Sequence, residues 1–195
     1  MYVGNVTREK ANIAVFISGR GTNLNALILR SKKKSCNYKI AYVISNKKNA
    51  AGLKFAKKNK ILTKIISQSF LKNEQKKLAK ILFNKNIKLI CLAGFMKILP
   101  VYFIKSFKGK IINIHPSLLP KYKGLNTHER VIANGEKFTG CTVHFVNKFL
   151  DSGKTIIQKK VRIKKNDNPK SIEKKVLKIE HKIYPKAICK VLSNL

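Results

Sequence analysis

The feature that most constrains this chain is a series of short, β-branched apolar runs, each followed by a stretch with the apolar spacing of a helix. Residues 12–18 (NIAVFIS) come first, then glycines, then residues 24–30 with helical spacing. Residues 38–45 repeat the strand signal, 50–59 the helical one and 63–67 a short strand, and 70–83 read as a helix with Leu78 and Leu82 on one face. Residues 88–93 (KLICLA) close this half as an almost unbroken apolar strand. A strand with so little polar alternation must be covered on both faces, and helices between successive strands supply that cover while forcing the strands parallel. The pattern predicts an α/β fold: a Rossmann-like, mostly parallel, twisted sheet.

The second half has a different grain. Residues 110–115 form another strand, ended by Pro116, and 141–146 and 155–162 form two more, separated only by a turn around Asp151, Ser152 and Gly153. So short a connection favours an antiparallel element in the C-terminal half. Asn168 followed by Pro169 reads as a cap and first helical residue, opening a last helix with Ile172, Val176, Ile179, Ile183 and Ile188 inward, which Pro185 should kink. No repeat or linker interrupts the pattern. Residues 12–195 are therefore expected to form a single domain, and residues 1–11 a frayed N-terminal extension.

With 195 residues, 44% of them hydrophobic, the chain can build a real core, so disorder is not expected. No apolar stretch is long enough to cross a membrane, and the first ten residues lack the apolar centre of a signal peptide, so a soluble, cytoplasmic protein with no membrane partner is expected. Cys36, Cys91, Cys141 and Cys189 are scattered, with no C-x-x-C pair; they read as reduced packing residues, and no metal is expected. The net charge is +35, from 43 basic and 8 acidic residues. Nucleic acid or an anionic membrane is the obvious partner class for such a charge. The excess is nevertheless spread over the whole chain, arginine is scarce, and Lys, Ile and Asn, all with A- and T-rich codons, fill 80 of the 195 positions. A solvated, codon-driven surface with no specific nucleic-acid partner fits better, though its field would still draw in a small phosphorylated substrate.

Three groups of residues could carry chemistry. Ser18, Gly19, Arg20, Gly21, Thr22 and Asn23 lie after a strand and before a helix, where free backbone amides and the helix dipole attract phosphate. A dinucleotide site would want a third glycine, where Leu24 stands, and an acid about twenty residues on, yet no acid occurs between Glu9 and Glu74, which argues against NAD and leaves NADP open only through Lys47 and Lys48 as acceptors of a 2′-phosphate. Asn113 and His115 sit two apart on a strand and so share a face, at the carboxyl end where open α/β sheets bind ligands. His128, His144 and His181 have no such companion. Asp151 is one of only two aspartates; brought near His115, it would favour the imidazolium and raise the histidine pKa.

With these residues in view, the sequence resembles the glycinamide ribonucleotide formyltransferases, folate-dependent enzymes of purine biosynthesis. The resemblance runs from about residue 13 to 185 and is carried by IAVFISGRGTNLNALI (13–28), LAGFMKIL (92–99), NIHPSLLPKYKGLNTHE (113–129), GCTVHFVNKFLDSGKTIIQ (140–158) and EHKIYP (180–185). It implies formyl transfer from 10-formyltetrahydrofolate, as co-substrate, to the amine of glycinamide ribonucleotide. It implies Asn113, His115 and Asp151 as catalytic residues: the amide donating to the developing oxyanion, the imidazole stabilising it and delivering a proton to the folate nitrogen, and the carboxylate keeping the imidazole charged, through a water if need be. Gly21, Thr22 and Asn23 would hold the phosphate and Glu180 the ribose hydroxyls. Met96, Lys97, Ile98 and Leu99 would line the folate pocket, with Asn113 at its edge and Lys72 as a basic contact.

The chain departs from that family at Lys97, where relatives commonly carry Arg, and at Asn147, Lys148 and Phe149, where acidic residues are usual. Methionyl-tRNA formyltransferases and formyltetrahydrofolate hydrolases share the Asn-x-His motif but resemble longer chains with an added domain. A non-catalytic, basic nucleic-acid-binding protein is the rival from another class. It would want aromatic residues among the lysine runs, and they are lacking. A monomer and a homodimer both fit the sequence.

Overall fold

A computed structural model describes residues 9–66 and 74–195 of the chain. Within them the elements alternate: β1 (Ala11–Ile17), α1 (Thr22–Ser31), β2 (Tyr38–Ser45), α2 (Gly52–Lys58), β3 (Leu62–Ile65), α3 (Gln75–Asn84), β4 (Ile87–Leu92), α4 (Val101–Ser106) and β5 (Lys110–His115). Then follow α5 (Thr127–Ala133), β6 (Phe138–Phe145), β7 (Thr155–Arg162) and α6 (Pro169–Leu192). The seven strands form one sheet in the order β3-β2-β1-β4-β5-β6-β7. Pairing is parallel from β3 to β5 and antiparallel for β5 with β6 and β6 with β7. The expected α/β class, parallel sheet and antiparallel C-terminal element are all present.

The strand residues explain the layering. In β1, Ile13, Val15 and Ile17 face one core, which α1, α2 and α6 complete, while Ala14 and Phe16 face a second core completed by Leu78 and Leu82 of α3 and Phe103 of α4. Alternate side chains of one extended segment thus feed opposite faces, so β1 must lie inside the sheet. β1 also marks the point where the winding reverses, since the chain runs outward through β2 and β3, then returns to add β4 on the other side. Ligand clefts in open α/β sheets form at the carboxyl ends of the strands flanking such a reversal.

Some boundaries differ from the sequence expectation. β1 begins at Ala11, which pairs with Tyr38, and Lys10 donates to the carbonyls of Ser31 and Lys33, so these two residues belong to the folded body rather than to a frayed extension. α6 continues through Pro185 to Leu192 without a break. Its start is the expected one: Asn168 accepts from the Ser171 N–H while the Ser171 hydroxyl accepts from the Asn168 N–H, a reciprocal cap worth about 1 kcal/mol. Helices α4 and α5 were not anticipated. All four cysteines are free, with Cys36, Cys91 and Cys141 buried.

Candidate active site

The carboxyl ends of β1, β4 and β5 open into one cleft of about 910 Å³. A single hydroxyl organises its floor. Ser18 Oγ donates to Asn46 Oδ1 at 2.6 Å and accepts from the Met96 N–H at 2.7 Å, while its own N–H donates to the Gly94 carbonyl. The loops after β1, β2 and β4 are thereby fastened to one another.

At one end of the cleft lies the segment 18–23. Gly21 caps α1 in the left-handed region (φ 73°), and α1 has no side-chain cap, so its first N–H groups find no partner within the helix. Gly21 is required here on two counts. A Cβ would be strained at that φ and would come within 2.4 Å of the Gly52 Cα, because the loop packs directly on the start of α2. Asn23, buried, donates Nδ2 to Glu180 Oε2 at 2.7 Å, and its Oδ1 has no protein partner. Glu180 stands in the buried column of α6 that includes Ile172, Val176, Tyr184 and Ile188, a carboxylate among apolar side chains four residues apart. Burial pushes its pKa up to about 7, against the Asn23 hydrogen bond.

The folate-type loop expected at 96–99 forms the cleft wall after β4. Phe95 packs edge-on against Phe16 at a centroid distance of 5.4 Å, anchoring the loop to the second core. Leu99 is buried, but Met96 and Ile98 are 62% and 70% exposed, and Lys97 is exposed beside them. Lys72 lies outside the described residues.

The other end of the cleft holds a cluster built on β5 and β6. Asn113 and His115 share a face of β5, as the spacing predicts, and the antiparallel register sets His144 of β6 directly opposite Asn113. Asp151, in the turn after β6, reaches all three: Oδ2 lies 3.4 Å from His115 Nδ1, and Oδ1 lies 3.4 Å from Asn113 Nδ2 and 3.6 Å from His144 Nε2. Asp151 itself has φ 45°, and its Oδ2 also accepts from the Gly124 N–H at 3.0 Å, which ties the loop after β5 to the cluster. The contact with His115 is direct, with no need of a bridging water. Asn113 Nδ2 also contacts His144 Nε2 at 3.3 Å, and His144 Nδ1 donates to the Phe145 carbonyl. His144 is therefore a member of the cluster that sequence reasoning missed. Its partner sits 31 residues away in the chain, and only knowledge of the β5–β6 register would have found it.

The electrostatics correct one expectation. His115 is 5% exposed, and burial lowers its pKa below the ordinary histidine value; the Tyr122 carbonyl, accepting from Nε2 at 2.8 Å, and the Asp151 carboxylate pull upward without overcoming it. Asp151 therefore does not lift His115 above its usual value, although it does favour the imidazolium. Burial pushes the Asp151 carboxyl upward, but His144, the Gly124 N–H and His115 outweigh it and hold it below the usual range. Both His115 nitrogens face acceptor oxygens, so a proton gained by this ring is held at both ends.

No group of three or more His, Cys, Asp or Glu side chains able to hold a metal occurs among the described residues. Nor is any helix among them long and apolar enough to cross a membrane.

A doubly wound sheet whose carboxyl edge brings a glycine-capped helix start and a buried His–Asp pair into one cleft has the arrangement of an open α/β enzyme acting on small molecules. Comparison with known proteins is more specific. The formyl transferase family matches residues 11–188. The chain is 44% identical to the phosphoribosylglycinamide formyltransferase of Haemophilus influenzae, over 90% of this chain and 84% of that one. It is 43% identical to the trifunctional purine biosynthetic protein adenosine-3 of Bos taurus over 97% of this chain, and it spans only 19% of that longer protein. The crystal structure of phosphoribosylglycinamide formyltransferase from Anaplasma phagocytophilum superposes with a TM-score of 0.87 at 40% identity, over 93% of this chain and 86% of that one. The chain belongs to the formyl transferase family.

Proposed function

We propose that this protein transfers the formyl group of 10-formyltetrahydrofolate to the amine of glycinamide ribonucleotide, a step of purine biosynthesis, in the cytoplasm and as a monomer or homodimer. The relatives from Haemophilus influenzae and Anaplasma phagocytophilum carry the name of that activity, and this chain covers 84% and 86% of them. The observation that carries the proposal onto this chain is the convergence of Asn113, His115 and Asp151 in a cleft whose far end is the Gly21 loop.

Gly21, Thr22 and Asn23 then hold the phosphate at the uncapped start of α1, and Glu180, beside Asn23, accepts from the ribose hydroxyls. The exposed apolar side chains of Met96 and Ile98, with Leu99 behind them and Lys97 beside them, suit a flat pterin, whose edge the loop's main-chain groups can read. A folate-type co-substrate thus fits the cleft, and it supplies the activated formyl group. Lys72 remains a proposed basic contact to the folate.

As the amine attacks the formyl carbon, negative charge gathers on the formyl oxygen, and the Asn113 amide is the donor set to meet it. Its two present contacts, at 3.3 and 3.4 Å, are long and therefore readily exchanged. His115 takes part as a ring whose pKa burial holds below the ordinary histidine value, while the Tyr122 carbonyl and Asp151 support its protonated form. The ring can take the proton that the attacking amine sheds and pass it to the folate nitrogen as the bond from that nitrogen to the formyl carbon breaks; from Nε2, that delivery requires the Tyr122 contact to give way.

The direct test mixes the protein with 10-formyltetrahydrofolate and either glycinamide ribonucleotide or methionyl initiator tRNA, and follows release of tetrahydrofolate. Release with the ribonucleotide alone is expected. Release with tRNA, or at equal rates with neither acceptor present, would overturn the assignment in favour of a tRNA formyltransferase or a hydrolase.

A further inference from the structure

Arg20 stands in the loop that precedes α1, one residue before Gly21, and its guanidinium Nη2 donates to Glu173 Oε1 on the first turns of α6. Both side chains line the cleft, as do Asn23 and Glu180. The pair joins residues 153 apart across the mouth of the phosphate end, and it is open to solvent, with 72% of the Arg20 side chain and 38% of the Glu173 side chain exposed. Ion pairs this exposed are held weakly and exchange readily. A phosphate ester carries nearly two negative charges and takes a guanidinium fork in bidentate fashion, which a single carboxylate oxygen contact does not match. In a chain with 38 lysines and only five arginines, this position carries the side chain whose geometry suits that contact. Next to it, the Asn23 Oδ1, on a residue only 8% exposed, has no protein partner, a buried acceptor left for a hydroxyl-bearing ligand.

We propose that Arg20 is a specificity-determining residue for the phosphate end of the acceptor substrate, and that Glu173 is a placeholder that holds the guanidinium at the cleft mouth until phosphate displaces it. This rests on the phosphoribosyl acceptor proposed above. When the ester enters, Arg20 exchanges the carboxylate for two phosphate oxygens and stays above the α1 start, adding a side-chain cation to the backbone donors. Glu173, released, faces Glu180 and His128, whose charges it already influences. Its negative charge then opposes the phosphate, so Arg20 and Glu173 affect substrate affinity with opposite sign.

That opposition is the test. KM for glycinamide ribonucleotide and the inhibition constant of ribose 5-phosphate are measured for the wild type, Arg20→Ala, Arg20→Lys and Glu173→Gln, with thermal melting as a check on folding. Arg20→Ala is expected to raise both constants about tenfold, with kcat and the KM for 10-formyltetrahydrofolate nearly unchanged. Arg20→Lys should fall between wild type and alanine, and Glu173→Gln, which leaves Arg20 in place, should lower both constants. Equal weakening by Arg20→Ala and Glu173→Gln would mean that the pair merely straps the loop to α6 and would overturn the proposal, as would unchanged constants in Arg20→Ala. A wild type that forms no product from the ribonucleotide sinks the parent assignment; a working wild type beside an indifferent Arg20→Ala sinks only this one.

Discussion

His115 and Asp151 show how a side chain can favour a charge state without setting it. Burial holds the imidazole pKa down while the carboxylate, 3.4 Å away, supports the protonated ring. Asp151→Asn removes that support, so the histidine pKa must fall further. In the proposed reaction the acidic limb of the kcat/KM profile should then move to lower pH, with turnover reduced by about 10²-fold or more; a limb that stays in place would detach the aspartate from the histidine. Glu180 offers a separate reading through stability. Its folded pKa, about 7, lies above the ordinary carboxyl value of 4.5. The neutral acid therefore supports the fold at low pH, and that support is lost as pH rises through 7. Glu180→Gln, neutral throughout, should stabilise the protein above pH 7 relative to wild type by about 3 kcal/mol and match it near pH 4, as followed by denaturant unfolding at the two pH values. Neither the depressed histidine nor the elevated glutamate could be read from the sequence, because both shifts come from burial by residues distant in the chain. Asp151 is legible for a different reason: in a chain with eight acids, an aspartate between two strands is conspicuous.

Among the elements, the loop from Ser18 to Asn23 is the one whose geometry is most tightly prescribed. Gly21→Ala would set a Cβ against the Gly52 backbone at 2.4 Å and strain a left-handed φ. The expected cost is about 1–3 kcal/mol of stability, with weaker ribonucleotide binding, seen as a lower Tm and a higher KM; a variant that melts and binds like wild type would mean that the loop and α2 can part freely. The inner strands of the parallel half, β1 and β4, are legible because burial on both faces leaves almost no polar alternation, as in the Ile-Cys-Leu end of β4, and β5 and β7 have the bounds expected from the sequence. Helices α4 and α5 are hard to read because, at six and seven residues, they complete few turns and lie outside the strand–helix alternation that points to the equally short α2. Lateral register was illegible for the same reason that His144 was missed: which residue of β6 faces Asn113 depends on pairing between strands, not on anything local to either one.

At the scale of the molecule, the surplus of basic residues, +35 in all, sets a long-range field around a cleft that takes anionic substrates in the proposed reaction. Raising ionic strength from about 0.05 M to about 0.5 M shortens the screening length severalfold. kcat/KM for the ribonucleotide should therefore fall steadily over that range, and a flat response would show that the charge serves no steering role. The field acts at a distance; the cleft itself is governed by something more local. Because one serine hydroxyl bolts together the loops that follow β1, β2 and β4, the proposed seat for the phosphate and the proposed wall for the pterin belong to a single hydrogen-bonded bracket rather than to two independent jaws. In the proposed reaction, donor and acceptor would then meet at a separation set by the sheet and not by either molecule alone.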